Sequence, residues 1–335
     1  MIVIVSTILF TLLTCLQDVD LTTDTFYSKA ATIFVSDNSV YVAGSWCDSI
    51  PPYYNQIGCY WKDGVRHDIE DKTTNVFTYS LAVSDDSVYV VGSYSLNGKN
   101  IRCYWKDGVQ YDFGENDFAN SVAVLDSSVY FAGNYYDGSI PVACYWNNGV
   151  RHDLGDAINL STISSIAFSG SSIYFSGYYV VNQRSIACYW KDGVRYDLGG
   201  ETETDKSNAY SIAVSGSNVY VAGYYYDNGT ETVACYWING VRHILEDAEV
   251  SDRLSIAVSE TSVYILGGYE KHGRINPAFY NGYWKDGVWN TIGNAGDAAG
   301  AITISGSSVY IAGYYLKKYS ARACYWKDGV RYDLE

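Results

Sequence analysis

Residues 188–195 read Cys-Tyr-Trp-Lys-Asp-Gly-Val-Arg, and this block, with variations, recurs along the chain. Its tryptophan returns as Trp61, Trp105, Trp146, Trp190, Trp237, Trp284 and Trp326, at spacings of 44, 41, 44, 47, 47 and 42. Upstream of each copy lies a second block, Val-Tyr-Val-Ala-Gly at 40–44 in the first. Its glycine recurs as Gly92, Gly133, Gly177, Gly223, Gly267 and Gly313. A period in the low forties that is rich in short β-like runs is the signature of a β-propeller.

The fifth copy shows four runs: Ser211 to Ser215, Val219 to Tyr226, Val233 to Trp237 and Val241 to Leu245. Their β-branched and aromatic enrichment marks strands. The Asp-Gly or Asn-Gly pair before the fourth run marks a tight hairpin, because both positions must take positive φ. Four antiparallel strands make one blade, and seven blades of about 44 residues fill residues 27–335. The expectation is therefore an all-β, seven-bladed propeller with four antiparallel strands per blade. The small, apolar first run belongs innermost and the polar fourth run outermost. Asp18-Val19-Asp20-Leu21 echoes a fourth run, but the last copy already has its own, so closure of the ring stays open. A β-sandwich or an open stack of repeats is the alternative. No long window carries the 3.6-residue apolar period of a helix.

The chain has 22 basic and 37 acidic residues, a net charge of −15. That argues against nucleic acid, whose binding rests on Lys and Arg neutralising phosphates, and against anionic membrane surfaces. Met1 to Leu13 is apolar to small. It is too short to span a bilayer and suits the core of an export signal. Residues 1–16 are therefore expected to be a signal peptide, and 17–335 a single propeller domain. Leu12-Leu13-Thr14-Cys15 resembles a bacterial lipoprotein cleavage box, which would make Cys15 a lipidation site and a lipid anchor the only membrane contact. Thr before the Cys and the lack of a preceding Lys or Arg depart from that pattern.

Eight cysteines in an exported chain would suggest disulfides. Six of them, Cys59, Cys103, Cys144, Cys188, Cys235 and Cys324, hold one equivalent position in six copies. Packed sheets lie about 10 Å apart, too far for a bond whose Cα atoms must come within about 7 Å. These cysteines read as buried fillers.

Comparing the copies with one another separates scaffold from function. What recurs in every blade serves the fold. A buried Trp removes up to about 250 Å² from water, roughly 6 kcal/mol gross, so the seven repeat tryptophans read as core between blades. His67, His152 and His243 are equivalent to one another and alternate with Tyr111, Tyr196 and Tyr332, which fits an outer-strand aromatic rather than zinc ligands converging on one ion. Asp68, Asp112, Asp153, Asp197 and Asp333 are expected to pair with arginines such as Arg66, Arg151, Arg195 and Arg331 on the same strands.

The second-to-third loops and the links between blades vary, and in an up-down blade both emerge on one face. Loops on a rigid scaffold carry function. The links are acidic: Glu70, Asp71, Glu115, Asp117, Asp156 and Asp297 are among thirteen carboxylates set against Lys72, Lys206 and Arg253. A solvated rim explains this, as does a field that would draw Ca²⁺ or a basic partner. No calcium loop of the Asp-x-Asp-x-Asp-Gly type is present, and no cofactor is otherwise implied. The loops add aromatics suited to a glycan or protein ligand. The candidate ligand-binding residues are Trp46, Tyr53, Tyr54, Tyr136, Tyr226 and Tyr315, although strand alternation must bury about half of such tyrosines.

No Cys-x-x-Cys or His-Glu-x-x-His occurs, and no nucleophile stands near a single-copy histidine. Gly92 to Asn100 imitates a phosphate loop, but it lies between strands and lacks Ser or Thr after Lys99. WD40, kelch and sialidase signatures are missing. The Tyr-Trp-Lys-Asp-Gly-Val repeats, covering residues 27–335, resemble those of bacterial secreted and lipoprotein propeller proteins. That likeness implies a fold and a compartment but no activity. The expected function is an exported, non-catalytic binding module taking a glycan or a protein on its variable-loop face. The alternatives are a polysaccharide-active enzyme using carboxylates near the channel, or a purely structural surface protein.

Overall fold

The computed structural model describes residues 27–47, 56–69, 75–156, 158–199, 206–227, 231–245, 254–270, 279–294, 296–317 and 320–334. Cys15, Asp18 to Leu21, Tyr53, Tyr54 and most of the acidic links lie outside the described residues. The chain folds as a seven-bladed β-propeller, seven four-stranded sheets with each sheet built from consecutive strands. In blade 4 the strands are Ser161–Ser169, Ser172–Val181, Arg184–Lys191 and Val194–Asp197, denoted a to d in every blade. The blades occupy 27–68, 76–112, 117–153, 161–197, 207–244, 255–291 and 298–333. The a strands touch one another in sequence around the axis, and that of blade 7 returns to that of blade 1. The small apolar run is innermost for this reason, as its composition predicts.

Each blade presents two faces. One carries the repeat Trp, the repeat Cys and the apolar residue opposite the Trp, such as Phe175 across from Trp190. That face packs on the preceding blade: Val42, Cys59 and Trp61 of blade 1 share a cluster with Tyr310, Ala312 and Ala323 of blade 7. All seven repeat tryptophans are at most 6% exposed, and the repeat cysteines are buried. The other face carries the tyrosine before the Trp. Tyr60, Tyr145 and Tyr236 stack on His67, His152 and His243 across the c–d ladder, with centroids 4.8, 4.6 and 4.9 Å apart. Tyr111, Tyr196 and Tyr332 fill the same place in other blades at 5.0, 4.8 and 5.0 Å. The histidines are thus aromatic pairing partners on separate blades.

Two local devices explain the recurrent small and acidic residues. The first turn residue before d has positive φ, 49° at Asp192, with Gly193 at 84°. Its carboxylate accepts the Ile173 amide at 2.9 Å, tying the c–d turn to strand b. Asp63, Asp107, Asn239, Asp286 and Asp328 make the same bond in their blades. The recurrent b-strand glycine answers a second device. Strand a carries a bulge at this level, as between Ile163 and Ser165. A Cβ added at Gly177 would run into the main-chain oxygen of Thr162. The bulge brings two backbones too close for any side chain.

Candidate binding face

Strand b ends, and strand a begins, on the face from which the variable loops leave. Counting from the b-strand glycine, side chains alternate between two destinations. The second residue beyond the glycine is always aromatic: Trp46, Tyr94, Tyr135, Tyr179, Tyr225, Tyr269 or Tyr315. In blades 1, 3, 4 and 7 it shares the face of the repeat Trp and meets the arginine and aspartate of strand d, while Tyr225 meets Arg242 and Tyr94 meets Asp112. In blade 4 the Arg195 guanidinium lies 3.8 Å from the Tyr179 ring centroid and pairs with Asp197 at 3.0 Å, while the Tyr179 hydroxyl donates to Asp197 at 3.0 Å. Blades 1, 3 and 7 repeat the unit, with rings 3.9, 3.6 and 3.7 Å from Arg66, Arg151 and Arg331. Arg and Asp pair as their spacing predicts.

This corrects two of the candidates. Trp46 is 6% exposed. Its indole N–H donates to Asp68 at 2.9 Å and its face is covered by Arg66. Tyr315 is half-buried, donates to Asp333 at 3.2 Å and lies under Arg331. Both are spent on a repeated structural unit and do not project as free platforms. The parity of their strand position decides this.

The first and third residues beyond the glycine point to the inner side of the same face, together with the bulge residues of strand a. This is where the copies differ. The bulge residue is Ala31, Tyr79, Asn120, Ser164, Tyr210 or Gly300 in the six blades whose bulge is described. Tyr136 and Tyr226, two of the candidates, belong to this set. Tyr136 is 36% exposed and meets Phe118 edge-on at 5.0 Å. Tyr226 meets Tyr224 edge-on at 5.4 Å, and Tyr224 is 5.4 Å from Tyr210. Burial, followed by the hydroxyls of Tyr210 and Tyr226, pushes the Tyr224 phenol well up. Burial likewise raises Tyr178, and Tyr136 beside it adds to the rise. The inner edge therefore holds aromatic side chains of blades 2, 3, 4 and 5. Blade 1 contributes a cation instead: Lys29 Nζ is 4.8 Å from the Tyr314 ring of blade 7.

Sequence reasoning missed Phe77, Tyr79, Arg102, Phe118, Tyr178, Tyr210 and Tyr224. Column-by-column comparison of the copies carried the signal for them, since each stands where other blades have a small or unrelated residue.

The acidity of the links is partly structural where it is described. Asp297 is buried and accepts the amides of Asn294 at 2.8 Å and Leu316 at 3.0 Å. Asp156 accepts those of Asn159 at 2.8 Å and Ile158 at 3.1 Å, and these bonds hold its carboxyl below the usual range. Among the described residues no three His, Cys, Asp or Glu side chains converge.

No protein-family model matches this chain, and neither does any curated protein. Solved structures share its fold. The β-propeller domain of the Trilobed protease from Pyrococcus furiosus, described as having an open velcro topology, superposes with a TM-score of 0.57 at 12% identity, covering 92% of this chain and 98% of that one. Pyrococcus horikoshii acylaminoacyl peptidase gives 0.55 at 14% identity, and a Mycobacterium tuberculosis puromycin-hydrolyzing peptidase 0.57 at 11%, each again over 92% of this chain. The chain spans 52% of the length of each of those two peptidases. What this chain shares with all three is the β-propeller fold.

Proposed function

We propose that this chain is an exported, non-catalytic binding module whose ligand is a glycan seated on the variable-loop face, at the mouth of the ring. One observation carries the reading. The blades nearly repeat one another wherever side chains build the scaffold, and they diverge at the inner edge of that one face. There blades 2 to 5 place aromatic residues where other blades have small or polar ones, several bear hydroxyls, and Phe77, Tyr79 and Tyr136 are 42%, 37% and 36% exposed. Flat apolar rings beside hydroxyl groups suit the two sides of a pyranose, its C–H face and its hydroxyl edge. The likeness to bacterial secreted propeller repeats supports export, as does the apolar segment Met1 to Leu13.

The test is a glycan array probed with the chain from Gln17 onward, in Ca²⁺ and again in chelator. Selective binding supports the module, and loss of binding on chelation would place calcium on the acidic links. No glycan retained in either buffer overturns the reading. Incubation with a polysaccharide panel should release no reducing ends; release would favour an enzyme.

A further inference from the structure

Strand c of blade 2, Lys99–Lys106, carries one residue that the scaffold does not call for. The position just before the repeat Cys holds Gly58, Ala143, Ala187, Ala234, Asn281 and Ala323 in the other blades, and Arg102 in blade 2. Every other copy closes its blade with a small or short side chain here, so the arginine is an addition.

The Arg102 guanidinium is laid inward across the blade. It lies 4.6 Å from the ring centroid of Tyr79, on the inner strand of its own blade, and 5.6 Å from that of Phe118, on the inner strand of blade 3. Arg66, Arg151, Arg195 and Arg331 each hold an aspartate at 2.7 to 3.1 Å. Arg102 has no carboxylate at ion-pair distance among the described residues. A half-buried guanidinium oriented by two rings and unmatched by a protein carboxylate among the described residues is pre-organised for a ligand carboxylate, which it can take through two parallel hydrogen bonds.

Its neighbours set the rest of the ligand. The Tyr79 hydroxyl, fixed by its 2.6 Å bond to the buried Ser93 Oγ, is the polar group beside Arg102. Phe77 and Tyr136 present exposed ring surface. The geometry points to Arg102 as the carboxylate anchor of a saccharide site between blades 2 and 3, and so to a uronic-acid-type, carboxylate-bearing glycan as the ligand. This rests on the glycan-binding reading above and narrows it. The chain's charge of −15 gives no long-range attraction for such a ligand. Recognition here is a matter of short-range geometry, within a Debye length of about 8 Å at physiological salt.

The test is calorimetric titration of the intact chain with a galacturonic-acid hexamer, its methyl ester and a polyglutamate peptide. The same titrations are run on Arg102→Ala, which installs the residue four other blades carry at this position, so its fold should survive; a melting curve checks that. The expected result is at least tenfold weaker binding of the ester than of the acid by the wild-type chain. In Arg102→Ala the acid should fall to the level of the ester while the ester is unchanged. Equal binding of acid and ester, or an unchanged Arg102→Ala, overturns the anchor but leaves glycan binding intact. Polyglutamate bound as tightly as the uronate overturns the saccharide assignment. No binding of either saccharide overturns the proposal, and the array decides whether the broader reading falls with it.

Discussion

The amide of Ala323 donates to Ser28 Oγ at 2.8 Å, joining residues 295 apart in sequence. Ser28 begins blade 1 and Ala323 lies on strand c of blade 7. Ser161 accepts from Ala143 at 2.9 Å and Ser207 from Ala187 at 3.0 Å between internal blades. The seam that closes the ring is thus made of the same bond as two seams inside it. Among the described residues blades 1 and 7 are each built from consecutive strands, and this packing joins them. Ser28→Ala leaves a buried amide without its acceptor, at a cost of about 1–3 kcal/mol. Urea unfolding should show that loss, matched by Ser161→Ala. A silent Ser28→Ala beside a costly Ser161→Ala would mean that the closing seam does not depend on this bond.

Blade 6 departs from the repeat at two positions that compensate for each other. Trp289 replaces the strand-d arginine and packs 4.5 Å from Trp284. Gly282, diagonal to Trp289 on strand c, replaces the repeat cysteine, and a Cβ there would run into the Trp289 ring at 2.6 Å and into the Asn290 carbonyl. Gly282→Cys should therefore destabilise by about 1–3 kcal/mol through overpacking. Adding Trp289→Arg should recover part of it, because residues in contact couple. Strict additivity of the two changes in a thermal-melt cycle would refute the compensation.

Burial pushes the thiols of Cys59, Cys144, Cys188, Cys235 and Cys324 up, away from the reactive thiolate. At pH 8 the folded protein should leave these five unlabelled by a thiol reagent, and denaturant should expose all of them. Mass-spectrometric mapping reads the sites. Rapid native labelling at several would show the blades separating, contrary to a closed ring.

The Asp156 carboxyl is held down by the Asn159 and Ile158 amides. A group with its folded pKa below the unfolded value of about 3.9 stabilises above that value, and the contribution fades as pH falls through the folded pKa. Hydrogen exchange at Ile158 and Asn159 should thus be slow near pH 6 and lose its protection factor below about pH 4. Asp156→Asn should remove most of this pH dependence. Protection that persists unchanged at pH 3 would rule out the carboxylate as the cap.

Of the six candidate residues read from the chain, the structure places Tyr136 and Tyr226 at the variable inner edge and Trp46 and Tyr315 away from it, and one cause separates the two pairs. Tyr136 and Tyr226 sit an odd number of residues past the b-strand glycine and reach the variable inner edge. Trp46 and Tyr315 sit an even number past it, on the face that carries the repeat Trp. Alternation along a strand separates the two sets. Treating all loop-end aromatics alike merges them.

The sequence by itself determined the blade, its four strands, its turns and the number of blades, because each is a local decision repeated seven times: turn chemistry, β-branching and a buried Trp every forty-odd residues. It also marked Arg102 as an exception to its column, without saying what that exception meets. Only the tertiary structure decided that Arg102 lies between Tyr79 and Phe118, that Ser28 meets Ala323, and that Trp46 is covered by Arg66. The first two contacts join different blades and the third joins separate strands of one blade. Their geometry depends on the bulge and twist of each sheet and on how successive sheets pack around the axis. No single repeat contains that information.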